Sequence, residues 1–126
     1  PLLASTPIGL LIALVLLANN LRDRKFDANV GISTMATGAT EDQGMRYFTA
    51  LTASAYISVI ALILLGIFSP FALLSFLSIK TAMEIIRQFS EKIPLTSDQQ
   101  TAQLALQFGV LLTAGELVNV LYYTFF

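Results

Sequence analysis

Four long apolar segments dominate this sequence, and each is close to the length that a membrane-crossing helix requires. The first, from Leu2 to Leu21, contains no charged residue. A helix needs about 20 mostly apolar residues to cross the hydrocarbon core of a bilayer. We therefore predict an all-α integral membrane bundle of four transmembrane helices, at about residues 2–22, 46–68, 70–90 and 101–125.

The composition excludes several other classes of protein. The chain is 56% hydrophobic and 12% charged, whereas a soluble domain is about 25% charged. Its net charge of -1 provides no basic field for nucleic acid, so we expect no nucleic-acid partner. Cys and His are both absent, which excludes disulfides, thiolate metal sites and imidazole chemistry.

The basic residues are distributed unevenly along the predicted topology. With four crossings, the polar loop at residues 23–45 and the connection at residues 91–100 lie on the same side of the membrane. All Lys and Arg residues fall on or toward that side. By the positive-inside rule this side is cytoplasmic. We therefore predict a multi-pass protein of the plasma membrane whose loop 23–45 faces the cytoplasm.

A cluster of oxygen-bearing side chains closes the first apolar segment. On a helix Asn20, Asp23 and Asp27 share one face, at positions i, i+3 and i+7. Mg²⁺ is usually held by one or two carboxylates together with the phosphates of a substrate. The amides of Asn19 and Asn20, at the end of an apolar run, favour a polar cavity. The first hypothesis is therefore a metal-bridged diphosphate site at a membrane surface.

Simpler interpretations exist for this cluster and for other polar residues. Asp23 and Asp27 are also compatible with a solvated helix end, anchored at the interface by nearby Arg and Lys side chains. Gln103 and Gln107 either line the same cavity or form hydrogen bonds between helices. Glu116 most simply pairs with another helix.

A charged stripe occupies the third apolar segment. Lys80, Glu84 and Arg87 lie at i, i+4 and i+7, where mutual pairing is the simplest role and a functional carboxylate at Glu84 is the alternative. A non-enzymatic four-helix membrane subunit or transporter module would account for such features without catalysis. The sequence pattern alone leaves both interpretations open.

One motif resembles a known family. Asn19 to Asp23, reading N-N-L-R-D, with Asp27 and Gly31 resembles the second Asp-rich motif of the UbiA-type membrane prenyltransferases. The form is most similar to the members that act on 1,4-dihydroxy-2-naphthoate in menaquinone synthesis. Thr101-Ala102 and Phe108-Gly109 resemble the start of the last helix in that branch. The family has nine helices, so the resemblance implies that residues 1–126 are the C-terminal part of a single prenyltransferase domain, helices six to nine.

The resemblance also implies a reaction and a set of site residues. Family members bind a polyprenyl diphosphate through Mg²⁺. Loss of diphosphate from this substrate leaves an allylic cation that alkylates an aromatic acceptor, and the resemblance implies dihydroxynaphthoate as the acceptor here. Asp23 and Asp27 would be the catalytic residues and Mg²⁺ ligands, with Asn20 as a further ligand. The residues that we predict to contact substrate are Asn19, Asn20, Arg22, Lys25, Gln103 and Gln107.

The sequence departs from the family pattern in two respects. The first Asp-rich motif of the family does not occur in this chain, so we expect the chain to need the remaining N-terminal helices of the same protein and to be inactive alone. In addition, Ile32-Ser33-Thr34 follows Gly31, where the family usually has a basic residue. We therefore do not expect a Lys or Arg just after Gly31 to contact the diphosphate.

Overall fold

The structure is a computed structural model that describes residues 1–34 and 37–126, and within those ranges it contains helices and no strands. The predicted all-α fold is confirmed, and its third element is built from two helical segments instead of one. The elements in chain order are α1 (Thr6–Asn29), α2 (Glu41–Leu64), a 3₁₀ segment (Pro70–Ser78), α3 (Ile79–Glu91) and α4 (Ser97–Phe125).

Two helices extend into the polar stretch predicted as a loop. α1 continues to Asn29 instead of ending near residue 22, because no Gly or Pro occurs between residue 22 and Gly31, whose φ of 77° closes the helix. α2 begins at Glu41 instead of residue 46, because Thr40 and Gln43 form a reciprocal capping box. The predicted loop 23–45 is therefore much shorter, and its residues 35 and 36 lie outside the described ranges.

The helical segments run alternately between the same two ends of the bundle. At one end Arg22 of α1 meets Asp98 of α4, with Nη1 and Oδ1 2.7 Å apart. We call this the charged end. At the opposite end the backbone N–H of Ser69 donates to Oε1 of Glu116 in α4, at 2.9 Å. Leu95 lies back at the charged end, where its carbonyl accepts from Arg22 at 3.3 Å. The stretch between Ser69 and Leu95 therefore passes from one end to the other.

Three of the helices, α1, α2 and α4, are long and apolar enough to cross a membrane. The predicted third span is divided between a 3₁₀ segment of 9 residues and α3 of 13 residues. Rises of about 2.0 Å per residue in a 3₁₀ helix and about 1.5 Å in an α-helix give the two together about 37 Å. Neither segment alone reaches the hydrocarbon thickness of about 30 Å, so a crossing by this part of the chain would need both.

The 3₁₀ segment packs closely against α4. A Cβ atom at Gly115 would lie 2.2 Å from the carbonyl oxygen of Phe71, so only glycine allows the two backbones to approach so near. The neighbouring Glu116 accepts hydrogen bonds from the backbone N–H and from Oγ of Ser69, at 2.9 and 3.0 Å. This carboxylate satisfies a free N–H at the start of the 3₁₀ segment. Glu116 therefore pairs between elements, as its position in the sequence indicated.

Aromatic side chains hold the middle of the bundle together. Tyr56 of α2 packs edge-on against Phe76 and Phe108, with ring centroids 5.2 Å apart in both pairs. Its hydroxyl lies 2.7 Å from Oγ of Ser78, at the junction of the 3₁₀ segment and α3. A buried hydroxyl without a partner would be costly, so this bond favours one arrangement of the junction.

Gly115→Ala should destabilise the protein, because the added methyl group would overlap a backbone oxygen that cannot move independently. Overpacking of this kind lowers the free energy of unfolding by about 1–3 kcal/mol. Gly109→Ala is the matched control, since its Cβ would meet only Cδ1 of Ile8 at an ordinary 3.5 Å. Denaturant unfolding of the full-length protein in detergent measures both, and equal stability of the two variants would contradict the close approach.

Candidate metal and diphosphate site

The three predicted metal ligands lie on a continuous helix. α1 extends through Asn29, so the spacing of Asn20, Asp23 and Asp27 places all three side chains on one face. Each of them is half-buried. In the described part of the chain no group of three or more acidic side chains gathers as a metal site. This face therefore offers two carboxylates and one amide, and any further ligand comes from elsewhere.

The face with these oxygens points away from the core of the bundle. Successive helical residues turn by about 100°, which puts the centre of this face roughly 150° from the centre of the buried face of α1. Ile12 and Leu16 lie on the same outward line and are 56% and 62% exposed. We call Ile12, Leu16, Asn20, Asp23 and Asp27 the outer stripe of α1. It is apolar along the helix and carries oxygen ligands at the charged end.

Arg22 fixes the position of Asp23. Its Nε and Nη2 donate to Oδ1 and Oδ2 of Asp23 at 2.9 and 3.0 Å, and Nη2 also donates to Oδ1 of Asn19. The same guanidinium forms the ion pair with Asp98 and donates to the carbonyl of Leu95. The planar, forked guanidinium can serve several acceptors at once. Arg22 therefore orients the carboxylate of Asp23 and joins α1 to α4.

The sequence did not reveal the partner of Arg22 on α4. Asp98 lies in the first turn of α4, at the end where α1 finishes, so an antiparallel pairing of these two helices would have suggested the contact. The expected pairing among Lys80, Glu84 and Arg87 is not formed. Ion pairs among residues 1–34 and 37–126 occur only at Arg22.

Three of the predicted substrate-binding residues lie away from the outer stripe. Lys25 projects from α1 roughly 170° from the centre of the Asp-bearing face. Gln103 lines a recess of about 350 Å³ that α3 and α4 form without α1, together with Glu84. Gln107 is exposed on α4 and, four residues after Gln103, shares its face of the helix. The structure thus brings together Asn19, Asn20, Arg22, Asp23 and Asp27, whereas Lys25, Gln103 and Gln107 stand apart from them.

The donor set is chemically suited to Mg²⁺. All three candidate ligands offer oxygen, which this hard cation prefers. Each oxygen of Asp23 accepts a hydrogen bond from Arg22, and a carboxylate oxygen has a further lone pair available. Asp27 forms no side-chain hydrogen bond or ion pair with the residues that the structure describes. Both carboxylates therefore retain the capacity to bind a metal.

Almost the whole length of this chain is similar to part of a known protein. The 1,4-dihydroxy-2-naphthoate octaprenyltransferase of Bacillus subtilis (strain 168) is 31% identical over 122 residues. The predicted family resemblance is confirmed. The match covers 94% of this chain and 39% of the relative, so the chain spans about two-fifths of that protein's length. No family model and no solved structure matches the chain.

The contact between Arg22 and Asp98 should be measurable as a coupling energy. In a double-mutant cycle with Arg22→Gln and Asp98→Asn, we expect about 0.5–1 kcal/mol of coupling in unfolding free energy, as for a partly exposed ion pair. The control cycle combines Arg22→Gln with Asp42→Asn, whose exposed carboxylate forms no ion pair with Arg22. Additive effects in the first cycle would show that α1 and α4 are not joined in this way.

Proposed function

We propose that this chain is the C-terminal part of a membrane prenyltransferase that moves a polyprenyl group from its diphosphate to an aromatic acceptor. The acceptor that we propose is 1,4-dihydroxy-2-naphthoate, in menaquinone synthesis. The observation that carries the proposal is the outer stripe of α1, where oxygen ligands for a metal directly follow an exposed apolar surface. The relative from Bacillus subtilis, whose name states this reaction class, supports it.

Each part of the outer stripe has a role in this proposal. Asp23 and Asp27, with Asn20, would hold Mg²⁺, which neutralises the charge that develops on the departing diphosphate. Arg22 keeps the carboxylate of Asp23 in position for this task. Ile12 and Leu16 would contact the prenyl chain and exclude water from the allylic cation.

The proposed site is completed by helices outside this chain. The outer stripe faces away from the core of the four-helix unit, so a second set of ligands on facing helices would enclose the substrate between the two halves. The remaining N-terminal helices of the same protein are the proposed source of that set. By this proposal the chain alone contributes only some of the metal ligands and does not catalyse the transfer.

The proposed location is the plasma membrane, with the charged end toward the cytoplasm. Arg22, Arg24, Lys25 and Lys92 all lie at that end, whereas Glu116 is a lone charge near the other. This distribution supports the orientation by the positive-inside rule. The diphosphate of the substrate would then sit at the cytoplasmic surface and its prenyl chain would lie along the membrane-level part of α1.

Asp27→Asn should lower Mg²⁺-dependent prenyl transfer in the full-length enzyme by about 100-fold or more, because a metal-binding charge is lost at the leaving group. Asp23→Asn should have a similar effect, but it also disturbs Arg22. Asp27→Asn is therefore the cleaner variant. Transfer assays with dihydroxynaphthoate, 4-hydroxybenzoate and homogentisate measure the rate and identify the acceptor together.

Asp42→Asn is the control for this experiment. It removes an exposed carboxylate at the start of α2, away from the outer stripe, so transfer should remain close to that of the unaltered enzyme. Near-normal transfer by Asp27→Asn would remove Asp27 from the metal site. Loss of transfer in all three variants would instead point to a general requirement for negative charge at this end.

A further inference from the structure

A second recess lies at the charged end, on the inner side of α1. It has a volume of about 320 Å³ and is formed by the end of α1, the start of α2 and the connection between α3 and α4. Leu21 and Ile93 contribute apolar surface to it. Its remaining lining is charged, and four of the five charged side chains are basic: Arg22, Arg24, Lys25 and Lys92, with Glu41 as the acidic one.

Most of this positive charge has no counterion in the described structure. Arg22 is neutralised by Asp23 and Asp98, and no other ion pair occurs in the described ranges. Arg24 donates from Nη1 to the carbonyl of Ala39 at 2.8 Å, which leaves its charge uncompensated. With Lys25 and Lys92, three cations therefore face a single carboxylate. Their combined field attracts anions to this recess.

The lysines of this recess lie across α1 from the outer stripe, and Arg22 is the side chain that lines the recess and also contacts Asp23. Lys25 lies roughly 170° around α1 from the Asp-bearing face, and a helix with its side chains is about 10–12 Å in diameter. A diphosphate held between Asp23 and Asp27 is thus on the far side of α1 from Lys25. A ligand that contacts Lys25 is therefore distinct from one held by Asp23 and Asp27.

We propose that this recess binds a phosphate group, and that it is a second anion site independent of the metal site. Lysine and arginine bind phosphate through charge-assisted hydrogen bonds, and the recess combines both residue types from two parts of the chain, α1 and the connection between α3 and α4. The phosphate group belongs either to a free anion such as diphosphate or to the headgroup of an anionic phospholipid at the membrane surface. Both sources present the same chemistry to Arg24, Lys25 and Lys92.

The test compares two double variants of the full-length protein that lose equal charge. Lys25→Gln/Lys92→Gln removes two cations from the recess. Lys80→Gln/Arg87→Gln removes two cations from α3 that do not line it. Binding of inorganic diphosphate is measured by calorimetry without Mg²⁺, so that the metal site does not contribute. Retention of phosphatidylglycerol over phosphatidylcholine in nanodiscs is measured in parallel by native mass spectrometry.

We expect the recess variant to lose about 10- to 30-fold in affinity in one of the two measurements, as the removal of two surface cations predicts. The α3 variant should change by less than about twofold. The measurement that changes identifies the source of the phosphate group. A loss of affinity in calorimetry indicates a free phosphate, and a loss of retention in nanodiscs indicates a lipid headgroup.

Other results would overturn the proposal. An unchanged affinity of the recess variant in both arms would show that the recess binds no phosphate. Equal losses of affinity in the two double variants would show that binding depends on the net charge of the protein and not on the recess. As a further check, Asp27→Asn should leave this binding intact, because Asp27 does not line the recess and forms no ion pair with Arg22. Loss of binding in that variant would place the anion at the outer stripe. Because prenyl transfer is not measured, these outcomes do not depend on the proposed enzymatic function.

Discussion

The guanidinium of Arg22 is the contact on which both the architecture and the candidate site depend. It binds Asp23 with two hydrogen bonds on its own helix and Asp98 across to α4. The first contact orients a proposed metal ligand, and the second fixes how far α1 is rotated relative to α4. Because the rotation of α1 decides which residues face outward, one side chain couples the packing of the bundle to the direction of the outer stripe. Lysine, with a single ammonium group, would not reproduce this geometry.

The elements that the sequence predicted well are those that depend on periodicity. Apolar runs of membrane length predicted an all-α bundle, and the spacing of Asn20, Asp23 and Asp27 predicted a shared face. The helix ends were harder to predict from the sequence because they depend on local chemistry. α1 continues through charged residues, since charge alone does not end a helix, and it stops at Gly31. The 3₁₀ segment packs against α4 at Gly115, and local sequence patterns do not reveal such a tertiary contact.

The site residues divide in the same way. Residues close in sequence to the Asp motif were predicted to share its substrate, yet Lys25 faces the opposite side of α1 because two positions beyond Asp23 correspond to a turn of about 200°. Gln103 shares its recess with Glu84, since α3 and α4 form it together. These placements depend on the rotation of each helix and on which helices are neighbours, and both are set by packing in the folded chain. Sequence proximity to a motif is thus weaker evidence for a shared ligand than helical phase.

The direction of the outer stripe argues against a purely structural role for its carboxylates. A carboxylate that serves only stability is most effective when it satisfies donors inside the fold, as Glu116 does for Ser69. Asp27, by contrast, forms no side-chain bond to the described residues and lies on a face that the core does not cover. At the membrane surface such a carboxylate keeps its lone pairs available to a partner. A metal and a phosphate-bearing ligand between this face and further helices would supply that partner, and the inner side of α1 would remain free to stabilise the four-helix unit.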